Sequence, residues 1–202
     1  MHQRRLLLFL LVHVTLNLFR PEWTSAAPPS QLLTIEIQDR GTAIIHATME
    51  LPIPPEQAFT LLTDYEQWPT LFPEGFQIHL TDCAENCTVI ADMVIPHALV
   101  PWTTRLRVQS HESPPHMFAL HLLDGDYVQY HLRWEFAPAL DVKKTRATMR
   151  LTFQPNGLLA EWTPDSLYAW TIRKGLEDHF AKIRQHIYLR SGDSSLTKPY
   201  SR

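Results

Sequence analysis

The sequence predicts an α+β fold in which a series of antiparallel strands is followed by one long C-terminal helix. Apolar and polar residues alternate in several segments, most regularly between Tyr127 and Phe136, and this period of two is typical of half-buried strands. Turn-forming residues at 124–126 separate two of these segments, as in a hairpin. After Pro164 the apolar spacing becomes helical. The 202-residue chain is long enough for one such domain with a sizeable core.

The first predicted strand ends at Leu51, after apolar residues that lie two positions apart. Pro52 ends the pairing, because proline has no backbone N–H to donate. Pro55 fits the first turn of a helix, where no backbone donor is needed. An apolar stripe then predicts a short helix that ends near Asp64 and Tyr65, and the stripe consists of Ala58, Phe59, Leu61 and Leu62.

Further strands are predicted downstream, where alternating segments are bounded by proline, glycine and polar turns. They lie roughly at Phe76–Thr81, Thr88–Ile95, Thr103–Ser110, Met117–Leu123, Tyr127–Phe136 and Thr145–Gln154. In the fifth of these, one face carries Val128, Tyr130, Leu132, Trp134 and Phe136, and the other carries Tyr127, Gln129, His131, Arg133 and Glu135.

The final helix begins at Pro164 in its first position, and Thr163 is the residue that can cap it. Its inward stripe is expected to meet the apolar faces of the strands. That stripe consists of Ala169, Ile172, Leu176, Phe180, Ile183 and Ile187.

Two segments carry a resemblance to a known family: ATMELPIPPEQAFTLLTDYEQWPTLFP at 47–73 and GDYVQYHLRWEF at 125–136. Together with the final helix, they resemble the START-like (SRPBCC) superfamily, in particular its branch of polyketide cyclase/dehydrase and coenzyme Q-binding proteins. The resemblance covers roughly residues 43–189. It implies a helix-grip fold, in which a curved antiparallel sheet wraps around the long C-terminal helix and an apolar cavity lies between them.

The N-terminus predicts a signal peptide at residues 1–26. Arg4 and Arg5 precede an apolar run that is too short for a comfortable membrane span, and the small residues Ser25 and Ala26 follow it. An uncleaved N-terminal anchor is the alternative. We therefore expect an exported protein, periplasmic or secreted, with a lead-in at 27–42 and a polar tail at 190–202.

The charge balance argues against two classes of partner. Residues 1–26 include Arg4, Arg5, Arg20 and Glu22, so the mature chain has 15 basic and 20 acidic residues, and its net charge is −5 rather than −3. Nucleic acids and anionic lipid surfaces both require a basic face. We expect neither as a partner, and the sequence leaves the oligomeric state open.

Cys83 and Cys87 are the two cysteines of the chain, and three residues separate them. In an oxidising compartment this spacing suits a disulfide across a hairpin. Two free thiols, or half of a metal site, are the alternatives. The metal site is disfavoured because no other cysteine pair or suitably spaced histidine accompanies these two cysteines.

Spacing alone indicates that the apolar stripes form an ordinary packed core. The family resemblance implies instead a ligand cavity, and aromatic residues near its open end become candidates for its lining because they combine a large apolar surface with a polar group. The candidate ligand-binding residues are Trp68, Phe72, Trp102, Tyr130, Trp134, Met149 and Trp170.

No residue is assigned a catalytic role. A cyclase or dehydratase needs an acid or base directed into the cavity, but the alternation places four of the candidates on the solvent face. These are Arg105, Arg107, His131 and Arg133, and the other two candidates are His121 and Tyr127. No HExxH motif or carboxylate cluster indicates a metal, and no cofactor is expected.

The resulting hypothesis is an exported protein that binds or carries a hydrophobic small molecule, such as a lipid, an isoprenoid quinone or a polyketide-like compound. Burial of apolar surface would drive this binding. One alternative is a cyclase or dehydratase that acts on a polyketide-like substrate. Another is an interaction module with a filled core that contacts a protein partner.

Overall fold

The computed structural model describes residues 32–72, 74–84, 88–96, 103–156 and 164–191. The strands are β1 (Leu32–Gln38), β2 (Thr42–Leu51), β3 (Gln77–Ala84), β4 (Thr88–Pro96), β5 (Thr103–Ser113), β6 (Met117–Gly125), β7 (Tyr127–Pro138) and β8 (Thr145–Pro155). The helices are α1 (Pro55–Thr63), α2 (Trp68–Leu71) and α3 (Asp165–Ser191). Within these ranges no helix is long and apolar enough to cross a membrane.

The strands form one antiparallel sheet in the order β1-β2-β8-β7-β6-β5-β4-β3. All neighbours from β3 to β8 are consecutive in sequence, as expected for hairpins. The first strands join the last through β2 and β8, where Met49 lies opposite Ala147. The curved sheet and the long C-terminal helix confirm the predicted helix-grip architecture.

The predicted lead-in at 27–42 contains a strand that the sequence analysis does not identify. β1 pairs with β2 along its whole length, from Leu32 opposite Thr48 to Gln38 opposite Thr42. Leu33, Ile35 and Ile37 alternate and are half-buried against the core. Because this alternation spans only seven residues and only one face is partly covered, it is a weaker signal than that of the central strands.

The short helices close one end of the sheet. α1 begins at Pro55, as predicted, and buries the apolar stripe described above. The Thr145 hydroxyl at the start of β8 donates a 2.6 Å hydrogen bond to the Ile53 carbonyl, so the chain before α1 is held against the sheet. The prolines at 52, 54 and 55 thus direct the chain from β2 across the sheet instead of along it.

The core lies where the concave face of the sheet meets α3. Phe180, Ile183 and Ile187 of the predicted inward stripe are buried, whereas Ile172 and Leu176 are half-buried. On the sheet, Leu132, Trp134, Phe136, Ala147 and Met149 are buried on the predicted inward face.

A β-bulge at the start of β7 changes the predicted faces of Tyr127 and Val128. The register shifts between Tyr127, which lies opposite Pro155, and Gln129, which lies opposite Gln154. The extra residue reverses the alternation. Val128 is therefore 60% exposed instead of inward, and Tyr127, predicted on the polar face, packs against Phe153 with 5.2 Å between ring centroids.

Candidate functional site

A small cavity of about 50 Å³ lies between the sheet and α3. The residues around it come from α1, α2, β6, β7, β8 and α3, so every layer of the fold contributes to its walls. Its lining consists of Leu62, Trp68, Leu71, Phe72, Phe118, Tyr130, Leu132, Trp134, Met149, Leu151, Leu176 and His179.

Five of the seven candidate ligand-binding residues meet at this cavity: Trp68, Phe72, Tyr130, Trp134 and Met149. They come from segments that are far apart in sequence. The strand alternation and the aromatic turn after α1 were sufficient to find them, because both features determine which side chains point inward.

The prediction for Trp170 needs correction, because the structure does not place this residue in the cavity wall. Its side chain is 51% exposed on the first half of α3. A helix turns about 100° per residue, so Trp170 lies about 120° around the axis from the inward Leu176. Trp102 lies outside the described residues, as do Cys87 and the side chain of Cys83.

The α2 end of the cavity is held by specific contacts. The indole N–H of Trp68 donates a 3.1 Å hydrogen bond to the Leu62 carbonyl, which fixes the ring over the end of α1. Phe72 stacks between Phe76 at 4.2 Å and His179 at 4.0 Å, measured between ring centroids. These contacts make this end of the cavity rigid and apolar.

The sheet wall follows from the alternation on β7 and β8. Trp134 lies opposite Met149, and Leu132 lies opposite Leu151. The Trp134 ring contacts Phe180 of α3 edge to face, with centroids 6.0 Å apart. Tyr130 lies opposite Phe153, whose ring contacts Tyr168 near the start of α3.

His179 is a lining residue that the sequence analysis does not select. Burial lowers the pKa of its imidazole to about 4, so the ring is neutral at pH 7. Its Nδ1 lies 2.8 Å from the Leu71 carbonyl and must carry the proton to donate to it, which leaves Nε2 as an acceptor. The helical spacing of the sequence does indicate an inward position, because His179 lies three residues after Leu176 on the same face of the helix.

A second feature that the sequence analysis does not select is a group of tyrosines beyond Tyr130. Tyr127 lies 6.1 Å from Tyr130 and 5.2 Å from Phe153, between ring centroids, and Phe153 contacts Tyr168 of α3 at 6.4 Å. Burial raises the pKa of Tyr127 to about 12 and raises those of Tyr130 and Tyr168 as well. All three phenols are therefore protonated at neutral pH, and that of Tyr127 is hydrogen-bonded to the Thr104 side chain.

The predicted solvent-face candidates stay outside the cavity. Arg105, Arg107 and His131 are exposed, and Arg133 is half-buried. Arg107 forms a 2.7 Å ion pair with Asp92, and Arg133 forms one of the same length with Glu135. His121 is also exposed, and it stacks on His131 with centroids 4.5 Å apart. None of these groups lines the cavity.

The chemistry of the site is thus that of an apolar enclosure with a few neutral hydrogen-bonding groups. Among the described residues that line the cavity there is no aspartate, glutamate, lysine or arginine. The described part of the chain also contains no group of three histidine, cysteine, aspartate or glutamate side chains arranged to hold a metal ion. Such a site suits burial of a neutral apolar molecule.

Comparison with known families identifies a family to which this chain is similar. The family described as polyketide cyclase / dehydrase and lipid transport matches residues 51–180, which is more than half of the chain. A comparison with curated proteins found no match. The family match confirms the resemblance that was inferred from residues 47–73 and 125–136.

Solved structures share the fold at low sequence identity. A protein from Thermus thermophilus has a TM-score of 0.64 and 17% identity, over 73% of this chain and 99% of that one. A START superfamily protein from Mycobacterium smegmatis has a TM-score of 0.59 and 13% identity, over 73% and 98%. The Zhui aromatase/cyclase from a Streptomyces species has a TM-score of 0.58 and 11% identity, over 75% and 94%. These likenesses establish the START-like fold.

Proposed function

This chain belongs to the polyketide cyclase/dehydrase and lipid transport family, and from this premise we propose that it binds and carries a hydrophobic small molecule between its sheet and α3. The observation that supports the proposal most directly is the cavity, where aromatic and aliphatic side chains from six elements converge on one space. The bound molecule would be a lipid, an isoprenoid quinone or a polyketide-like compound.

The size of the cavity requires the protein to open when it binds. Its volume of about 50 Å³ accommodates a few water molecules, whereas small-molecule pockets usually measure roughly 300–1,000 Å³. Ile172 and Leu176 on α3 are only half-buried, so they have less burial to lose than Phe180 and Ile183 of the same helix. Movement of this part of α3 away from the sheet would enlarge the space at low cost.

The energetics favour a ligand of more than about ten carbons. Each buried methylene contributes about 0.8 kcal/mol, and association costs about 4–15 kcal/mol in lost translational and rotational freedom. Few hydrogen bonds are available in this lining, so apolar burial must supply most of the free energy. A small polar metabolite would not recover that cost.

Export is a second part of the proposal, and its basis is the sequence of residues 1–26. An exported carrier would move a water-insoluble compound across an aqueous compartment, and a bridge between Cys83 and Cys87 would be stable there. N-terminal sequencing of the mature protein and a thiol count test these points. An intact Met1 on cytoplasmic protein with two free thiols would contradict both.

A cyclase or dehydratase activity is the alternative within the same family. It would use Tyr130 and His179, the titratable groups in the lining. However, efficient general acid–base catalysis at neutral pH calls for a pKa near 7. Burial lowers the pKa of His179 to about 4 and raises that of Tyr130. Carriage therefore fits the site better than proton transfer.

The first test is extraction of the protein purified from its natural compartment, followed by mass spectrometry. A stoichiometric hydrophobic compound supports carriage. Conversion of an added cyclisable substrate would instead support the enzyme. If no compound is extracted, no substrate is converted and no apolar probe binds, the result supports an interaction module with a filled core.

A variant pair locates the binding site. Leu176→Trp fills the space beneath α3, whereas Leu189→Trp makes the same change on a 68% exposed position of the same helix. We expect Leu176→Trp to weaken binding of the neutral fluorescent probe N-phenyl-1-naphthylamine by at least about tenfold, since overpacking blocks the cavity. Leu189→Trp should bind as the natural protein does, and equal loss in both variants would contradict this location.

A further inference from the structure

The cavity has two chemically different ends. At the α2 end it is closed by apolar rings and by an imidazole whose donor is already used by the Leu71 carbonyl. At the opposite end Tyr130 lines the cavity, and behind it, outside the lining, the hydroxyl-bearing rings of Tyr127 and Tyr168 pack around Phe153. We call Tyr127, Tyr130 and Tyr168 the tyrosine end.

The backbone at the tyrosine end is firmly positioned. Asp126 donates its N–H to the Arg105 carbonyl at 2.9 Å, and the Arg105 N–H donates to the Asp126 carboxylate at 2.7 Å. Asn156 donates to the Asp126 carbonyl at 2.9 Å. Gly125 permits this close approach, because at its φ of +133° a Cβ would lie 2.3 Å from the Arg105 carbonyl oxygen. The residue after this junction, Tyr127, is therefore fixed toward the interior.

The Tyr168 hydroxyl has no hydrogen-bond partner among the residues that the structure describes, although its oxygen is buried. A buried hydroxyl without a partner carries a desolvation cost that no hydrogen bond offsets. It belongs to the first turns of α3, the half of the helix that covers the cavity less tightly. A ligand oxygen placed there would recover part of this cost.

The surroundings favour a neutral ligand oxygen over a charged one. The described cavity lining contains no cationic side chain to balance a carboxylate or phosphate. Arg105 is exposed on the outer face, and Lys182 directs its ammonium group to the Phe72 carbonyl at the other end of the cavity. An unpaired anion at the tyrosine end would therefore lose its hydration without compensation.

We propose that the tyrosine end receives a neutral carbonyl oxygen, so that the protein takes neutral ketones, quinones or esters in preference to carboxylates of the same size and shape. This inference rests on the proposed carrier function and specifies the class of ligand. The ligand lies with its carbonyl among the phenol groups and its apolar body against Leu132, Trp134 and Leu151.

The test compares 2-acetylnaphthalene with 2-naphthoate at pH 7 by isothermal titration calorimetry on the full mature chain. The two molecules share a ring system and differ in the neutral ketone or charged carboxylate. We expect the ketone to bind at least about tenfold more tightly. Tyr168→Phe should weaken ketone binding by about three- to tenfold, the range of one hydrogen bond, and leave thermal stability unchanged or slightly raised.

Tyr65→Phe is the matched control, since it removes the same atom from a tyrosine that lies outside the tyrosine end and whose hydroxyl already donates to Glu112 at 2.7 Å. Its ketone affinity should equal that of the natural protein. Equal binding of ketone and carboxylate, or an unchanged affinity in Tyr168→Phe, would overturn the inference while leaving the carrier function intact. If neither naphthalene binds, binding of N-phenyl-1-naphthylamine is measured. Binding of this probe overturns the carbonyl preference alone. Absence of binding overturns both the carbonyl preference and the carrier function.

Discussion

The two halves of α3 perform different tasks although they belong to one continuous helix. In the C-terminal half, Phe180 and Ile183 are completely buried and Ile187 nearly so. In the N-terminal half, Ile172 and Leu176 are only half-buried, and Trp170 is 51% exposed. The difference shows that the fold is anchored at one end of the helix and covered loosely at the other.

The polar contacts follow the same division. In the C-terminal half, His179 bonds the Leu71 carbonyl and Lys182 bonds the Phe72 carbonyl, so two side chains tie the helix to α2. In the N-terminal half, Arg173 reaches the Leu33 carbonyl on β1 at 3.5 Å, which is a weak contact. A ligand could therefore separate the first half of α3 from the sheet while the second half keeps the protein folded.

The largest expected effect is on the free energy of unfolding, and it tests whether the C-terminal half of α3 anchors the fold. Phe180→Ala should lower the free energy of unfolding by about 3–5 kcal/mol, the range for removal of a fully buried phenylalanine. Leu176→Ala should cost only about 1–2 kcal/mol, because the leucine is already partly exposed and borders a cavity. Urea denaturation of both variants measures this difference. Equal losses would mean that the two halves contribute alike to stability.

The second prediction concerns the pH dependence of the free energy of unfolding, to which His179 in the C-terminal half of α3 contributes. The pKa of His179 is about 4 in the folded protein because of burial, against about 6.5 for an unfolded histidine. The unfolded chain therefore binds the proton more readily between these values. The stability from neutral His179 is complete above about pH 6.5 and is lost as the pH falls toward 4, by about 3 kcal/mol.

His179→Asn isolates this contribution, because asparagine offers an amide donor to the Leu71 carbonyl but does not titrate. We expect the natural protein to lose about 3 kcal/mol more than the variant between pH 7 and pH 4, measured by urea denaturation. The histidines at 131 and 186, whose pKa values burial also lowers, remain in both proteins. Parallel pH profiles would show that water reaches His179 in the folded state.

The strands and the final helix could be predicted because their signals are local. Alternation on β7 and β8 and the stripe on α3 each lie within one segment, so periodicity alone determines the faces. The bulge before Gln129 could not be predicted in this way, since it depends on the pairing of β7 with β8. As a result, Tyr127 was assigned to the wrong face, and a phenol group of the tyrosine end was missed.

The candidate site shows the same limit. Trp68, Phe72 and Trp134 were found because aromatic residues on inward faces are strong signals. Trp170 was included for its residue type, although its angle on the helix directs it away from Leu176. His179 is not among the predicted site residues although its helical position faces inward, because its burial is completed by packing against Phe72, which is remote in the sequence. Contacts over such separations are not visible in periodicity.

The smallest expected effect concerns Trp170. It tests whether the outer surface of the N-terminal half of α3 takes part in binding. Because its side chain is half exposed and lies outside the cavity lining, Trp170→Ala should change the free energy of unfolding by no more than about 0.5 kcal/mol. Affinity for N-phenyl-1-naphthylamine should stay within about twofold of that of the natural protein, since a surface side chain away from the lining contributes little apolar burial.

Trp134→Phe is the control for this measurement, because it trims an indole that lies opposite Met149 and contacts Phe180 across the cavity wall. We expect this variant to weaken probe binding and lower stability together. If Trp170→Ala instead weakens binding more than about fivefold at unchanged stability, the exposed indole contacts the bound ligand. The boundary of the binding site would then extend from the interior onto the outer surface of the first half of α3.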